Sequence, residues 1–185
     1  MKTKKIKDLS VKELAAYISD YLRMNNIDVV LTGGTCISIY TKNKYVSLDL
    51  DFVVMRFIDM KKIKGILEKI GFKEKGRHFK HKDTEFFIEF IPPPLSIGEE
   101  PVKEISEIKV TKYILKLLSP TDCVKDRLAA FYHWNDRQSL DQALMVCKEQ
   151  KVNLNELKRW SKNEGMINKF FDFKKELKKV AGYMK

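Results

Sequence analysis

The chain has 185 residues, 44% of them hydrophobic, and sets 36 Lys and Arg against 25 Asp and Glu for a formal charge of +11. That length allows one sizeable core with a helical appendage rather than two independent domains, and no apolar run approaches the ~20 residues of a membrane-spanning helix. The basic start gives way to charged residues instead of the apolar core of a secretory signal, and Cys36, Cys123 and Cys147 are widely spaced among apolar neighbours; a cytoplasmic protein with reduced thiols and no membrane partner is expected.

In chain order, Ser10 to Glu13 has the Ser-x-x-Glu form of a capping box, and Leu14, Tyr17, Ile18, Tyr21 and Leu22 recur at helical spacing, so a helix runs to Asn25-Asn26. Asp28 to Leu31 reads as a short strand, Gly33-Gly34 as a turn, and Thr35 to Tyr40 as the start of a helix. Leu48 to Met55 reads as a central strand, and Asp59 caps a helix that stops at Gly71. Phe72 to Phe90 is extended, with a hairpin turning at Lys82-Asp83, and the prolines of "IPPPLSIGEEP" predict a loop. Two more strands follow in "EISEIKVTKYILKLL". Ser119, Pro120 and Asp122 then open a helix, Asn153 opens another that closes at Gly165, and a basic amphipathic segment ends the chain. His78 and His81 read as surface residues, and His133 and Trp134 as packing and charge compensation at a helix end.

The stretch "VVLTGGTCISIYTKNKYVSLDLDFVV" holds the candidate chemistry. Residues two apart on a strand share a face, so Asp49 and Asp51 present adjacent carboxylates, with Cα atoms roughly 6 to 7 Å apart. Their repulsion becomes coordination if a divalent cation joins them, and an oxygen-only pair suits Mg²⁺ or Mn²⁺. Gly33 and Gly34 let backbone N–H groups approach a phosphate, and the helix opening at Thr35 adds the positive end of its dipole and a hydroxyl donor. Glu89, in the apolar strand around Ile88 and Phe90, is a third acid able to join the metal and take a proton from an attacking hydroxyl. Glu85, two steps of two away, is on the same face. The lysines from Lys61 to Lys82 and from Lys169 to Lys185 form surfaces that attract polyanions.

Strand, Gly-Gly-Thr, short helix, "SLDLDF" at Ser47 to Phe52 and the later strand acid Glu89 together resemble the nucleotidyltransferase superfamily of polymerase-β-like enzymes, and in detail the small prokaryotic AbiEii-type toxins of abortive infection. The resemblance covers about Val29 to Leu140. It implies an α+β fold, a mixed sheet flanked by helices, with residues 1–118 as the core and 119–185 as a helical region packed on it. It also implies that Gly33, Gly34 and Thr35 hold a triphosphate with Ser47 nearby, and that Asp49, Asp51 and Glu89 are the catalytic, metal-binding acids. Downstream, Arg127-Leu128-Ala129-Ala130 stands where a Lys-Leu-x-Ala pattern is usual and Ser139 lies near the place of a usual Asp; Lys125 and Arg127 become candidates for contacting the nucleotide. The implied activity moves a nucleoside monophosphate from an NTP to an acceptor hydroxyl, with tRNA or a protein as candidate acceptor and a cognate antitoxin-like protein as candidate partner. The alternative is a non-catalytic nucleotide- or RNA-binding module on the same fold.

Overall fold

A computed structural model of the chain describes residues 5–182, so the first four residues of the basic N-terminal stretch and the last three of the basic tail lie outside the described residues. After a 3₁₀ turn at Ile6–Asp8 come α1 (Val11–Met24), β1 (Val29–Thr32), α2 (Gly33–Tyr40), β2 (Asp49–Val54), α3 (Met60–Glu68), β3 (Lys73–Lys75), β4 (His78–Lys80) and β5 (Phe87–Ile91). They are followed by β6 (Ser96–Ile97), β7 (Glu100–Pro101), β8 (Ile105–Val110), β9 (Tyr113–Leu118), α4 (Pro120–Trp134), α5 (Arg137–Glu149), α6 (Leu154–Asn163) and α7 (Ile167–Gly182). Among the described residues no helix is long and apolar enough to cross a membrane.

Two compact units divide the chain. One takes the chain up to Cys36 with Val46–Leu95 and Glu104–Leu118; the other takes Ile37–Tyr45, Ser96–Lys103 and the chain from Ser119. The first is built on a seven-stranded sheet in the order β3-β4-β5-β2-β1-β9-β8. β2 lies at its centre, antiparallel to β1 and parallel to β5. Alternation decides the faces: Leu50, Phe52, Ile88 and Phe79 are buried on one side, while Asp49, Asp51, Glu89 and His78 fall on the other. α1 forms as its sequence demands, with Ser10 accepting from the Glu13 N–H and Glu13 reaching back to the Ser10 N–H at 3.0 Å. Lys64 of α3 pairs with Glu74 at 2.9 Å. Glu74 has the opposite parity to Lys73 and Lys75, so α3 covers the apolar face.

The second unit packs α4 to α7 around Leu128, Tyr132, Leu157, Trp160, Phe170 and Phe173, all buried. Tyr132 stacks on Trp160 at 5.6 Å and its hydroxyl meets Ser161 Oγ at 2.8 Å. The proline-rich stretch departs from the expected loop: after Pro94 it forms the hairpin of β6 and β7, held because Trp160 Nε1 donates to the Ile97 carbonyl at 3.3 Å. Trp134 is 76% exposed, so it does not pack; Lys169 caps the end of α4 instead, donating to the Tyr132 carbonyl at 2.8 Å. Among the thiols, Cys36 and Cys123 are buried, and burial pushes the Cys147 thiol up to about 12.

Arg159 of α6 grips Glu100 of the hairpin at 2.6 Å and Glu156 at 2.7 Å, and both carboxyls are lowered to about 2, first by the Arg159 hydrogen bonds. Their unfolded values lie near 4.3. Between those limits the unfolded chain binds more protons, so stability rises with pH in that window; the contribution is present above about 4.5 and is lost as pH falls towards 2. Urea midpoints measured from pH 6 to pH 2 are expected to fall in the parent and to fall less steeply in Arg159→Ala. Parallel curves for the two proteins would dismiss the network as a source of acid sensitivity.

Candidate active site

Four strands of the first unit bring the acids to one face. The register pairs Thr32 with Asp51, Asp51 with Glu89 and Glu89 with His78, so a single row crosses β1, β2, β5 and β4. Asp49 lies one row over, opposite Phe87. Asp49, Asp51 and Glu89 are all half-buried, as acids at the mouth of a sheet can be without losing solvent. Glu85, by contrast, is exposed and precedes β5, so it does not share the row with Glu89.

Gly33 fixes the approach of α2 to this face. Its φ is +63°, and a Cβ built there would land on the Asp51 carboxylate, with Cγ 3.1 Å away. The helix therefore begins at Gly33 itself, two residues before the expected Thr35, because only glycine can turn directly off the strand with the carboxylate alongside. Thr35, fully buried, donates its hydroxyl to the Asp49 carbonyl at 2.5 Å, tying the first turn of α2 to β2. Ser47 donates to Asp49 Oδ1. The helix start, Ser47 and both aspartates thus form one constellation, with the α2 dipole end facing an oxygen-rich edge.

Glu89 is oriented differently from the other two acids. Its Oε2 lies 3.2 Å from His78 Nε2 and its Oε1 3.5 Å from Arg77 Nε. Among the described residues no three Asp, Glu, His or Cys side chains are gathered closely enough to share one metal ion. The sheet thus brings the three acids to the same face, with Glu89 lying against His78 and Arg77. The carboxylate oxygens of Asp49 and Asp51 fit a hard divalent cation, and the helix start at Gly33 fits the anion that such a cation would accompany. His78, read from the sequence as a surface residue, is a direct neighbour of a site acid. The hairpin register was the signal that could have found it, since β4 pairs His78 with Glu89 only when the turn lies between Lys80 and Phe87.

Lys125 and Arg127 belong to the second unit and have partners there. Lys125 Nζ is buried between Glu156 at 2.9 Å and Asp122 at 3.0 Å. Burial works against its charge, but the hydrogen bonds to these carboxylates outweigh it and raise the ammonium above its ordinary value. Arg127 pairs with Asp126 at 2.5 Å and meets Gln142 Oε1 at 3.4 Å. The sequence pattern offered both to a nucleotide; the partners described above are acids and an amide of their own unit.

No protein-family model and no curated protein matches the chain. Solved structures do. An antigenic nucleotidyltransferase-like protein from Paracoccidioides brasiliensis superposes with a TM-score of 0.61 at 16% identity, over 92% of this chain and 94% of that one. The lincosamide antibiotic adenylyltransferase LnuA, with lincomycin bound, gives 0.55 at 18% identity, over 77% of this chain and 99% of its own. ANT(2'')-Ia in complex with adenylyl-2''-tobramycin gives 0.51 at 12% identity, over 86% and 95%. The fold of this chain is that of the nucleotidyltransferases.

Proposed function

We propose that the protein is a metal-dependent nucleotidyltransferase that moves a nucleoside monophosphate from an NTP to an acceptor hydroxyl. The observation that carries this is the contact of Gly33 with Asp51: a left-handed glycine opens a helix directly against a strand carboxylate whose neighbour, Asp49, is tied to the same helix through Thr35. In this reading the N–H groups at Gly33, Gly34 and Thr35 hold the triphosphate, Ser47 orients Asp49, and Asp49 and Asp51 hold Mg²⁺ or Mn²⁺. The bound cation would supply charge neutralisation for the phosphates. The acceptor oxygen forms a bond to the α-phosphorus, the α–β bridging bond breaks, pyrophosphate leaves, and the hydroxyl proton passes to Glu89. Glu89 must then leave Arg77 and His78, or carry them with it, to meet the acceptor. Kinship with AbiEii-type toxins, and with it an antitoxin-like partner or a defence role, is supported by the sequence resemblance.

A second reading is favoured by the grip of Arg77 and His78 on Glu89: a protein that binds nucleotide without transferring it. Incubation with each labelled triphosphate, Mg²⁺ and total cellular RNA or protein separates the two. Transfer of label with release of pyrophosphate is expected. Calorimetric binding of Mg²⁺-NTP without transfer to any acceptor would leave the second reading, and no binding would remove both.

A further inference from the structure

The seven-stranded sheet ends in β3 on one side and β8 on the other, and the two edges are built differently. β3 is three residues long and reads Lys73, Glu74, Lys75, all exposed. β8 runs six residues, Ile105–Val110, and has neither a proline nor a bulge to stop a further strand from joining. Its register with β9 is unbroken: across the turn at Thr111-Lys112, Val110 faces Tyr113, Ile108 faces Leu115 and Ser106 faces Leu117. A two-residue turn makes its closing pair a hydrogen-bonded one, and such pairs recur at every second position. The N–H and C=O groups of Ser106, Ile108 and Val110 therefore turn inward to β9, and those of Ile105, Glu107 and Lys109 turn outward. Among the described residues no strand pairs with β8 on that outer side. The side chains of Ile105, Glu107 and Lys109 are exposed. Lys116, opposite Glu107 on β9, is taken by Asp28 at 3.2 Å, and among the described residues neither Glu107 nor Lys109 lies within ion-pair distance of an opposite charge.

An outward row of backbone donors and acceptors takes another strand, and the side chains of β8 select which. We propose that β8 pairs antiparallel with β8 of a second copy of this chain, about a twofold axis at Ile108, so that the two sheets become one. Only registers in which outward residues face outward residues form the ladder, so the axis passes through a residue and never between two. Centred on Glu107, the pairing sets Glu107 against its own copy; centred on Lys109, it does the same with Lys109; centred on Ser106, it sets Lys103 against Lys109. Centred on Ile108, it sets Glu107 against Lys109 of the second copy at both ends, with Ser106 against Val110 and Ile108 against Ile108. Opposite charges directly across from each other stabilise an antiparallel pair, and like charges oppose it. The same operation on β3 keeps copies apart: the closing pair of Lys75 and His78 turns the Glu74 backbone outward, and an axis there sets Glu74 against Glu74 and Lys73 against Lys75. The competing account of Glu107 and Lys109 is that they guard the edge against any strand; two opposite signs two residues apart guard it poorly against their own copy. The interface is isologous. A six-residue strand pair buries less than a standard interface of about 1,600 Å², so dissociation in the micromolar range is expected. The pairing does not depend on the nucleotidyl-transfer reading.

Sedimentation equilibrium of the full chain across the micromolar range tests the proposal, with a monomer–dimer equilibrium expected for the parent. Glu107→Lys places like charges opposite each other at both ends of the pairing, and so does Lys109→Glu. Because the axis makes each substitution count twice, either one alone is expected to weaken self-association about tenfold. Glu107→Lys combined with Lys109→Glu restores opposite pairs at the parent's net charge and is expected to dimerise like the parent. An equimolar mixture of the two single variants restores them as well, since each chain then faces its complement, and is expected to form a mixed dimer that neither variant forms alone. A loss of folding or a change in net charge cannot produce that rescue. The register has its own readout. Facing residues of a non-hydrogen-bonded pair have Cα atoms about 4.5 Å apart, within reach of a disulfide, so Ile108→Cys is expected to cross-link two chains in oxidised glutathione while the parent, whose three cysteines lie outside β8, does not. A parent that stays monomeric throughout, a dimer indifferent to both single substitutions, or a mixture that stays monomeric overturns the proposal.

Discussion

Asp51→Asn is expected to abolish metal-dependent nucleotidyl transfer, lowering its rate by about a thousandfold or more, while the protein unfolds at the same urea concentration as the parent or a higher one. Cation stabilisation of a phosphoryl centre is worth several kcal/mol, and about 4 kcal/mol corresponds to roughly three decades of rate. The amide keeps the size of the carboxylate beside Gly33 and still offers an oxygen, so packing at the start of α2 is preserved. What it removes is one of two negative charges on the same strand face, which in the proposed reading binds the cation and which repels Asp49 when no cation is there. Calorimetry with Mg²⁺-NTP and an unfolding curve on one preparation read both effects. A large drop in the unfolding midpoint would instead make Asp51 a structural residue whose partners the sheet needs, and unchanged transfer would remove it from the site.

The elements that were legible in the sequence are those whose cause is local. Ser10, Asp59, Ser119 and Asn153 each cap the helix that follows, as their side chains accept from backbone N–H groups within three residues. The alternation around Asp49, Asp51 and Glu89 likewise needs nothing but the pleat of a strand, and the structure places the three on one face. The rest depended on distant partners. Lys125 lies in an ordinary-looking helix one turn after Asp122, and Glu156, from another helix, completes its buried ion-paired site. The short hairpin after the prolines exists because Trp160 and Arg159 meet it, and nothing within Ser96–Pro101 announces those contacts. His78 became part of the site through the pairing of β4 with β5, since a one-residue slip would have sent its ring to the apolar face.

The held Glu89 also bears on how the site works. A carboxylate between Arg77 and His78 is poised at the boundary of the acidic and basic parts of one sheet face, where an acceptor's charge would be felt first.

Gly33→Ala is expected to be the most destabilising single change at the site, lowering the melting temperature by roughly 5 to 10 °C and weakening Mg²⁺-NTP binding at least tenfold. Two separate costs act together. A residue with a Cβ held at φ +63° costs about 1–2 kcal/mol relative to glycine. The added methyl also falls on the Asp51 carboxylate, which must rotate away or push α2 off the strand, an overpacking cost of about 1–3 kcal/mol. For a chain of this length each kcal/mol shifts the transition by about 2–4 °C. The two parts can be separated by a double-mutant cycle with Asp51→Ala: shortening residue 51 removes the collision but leaves the backbone strain, so Gly33→Ala should cost about half as much in that background. Full cost in both backgrounds would show that backbone conformation alone demands glycine, and the close approach of helix and carboxylate would lose its claim to organise the site.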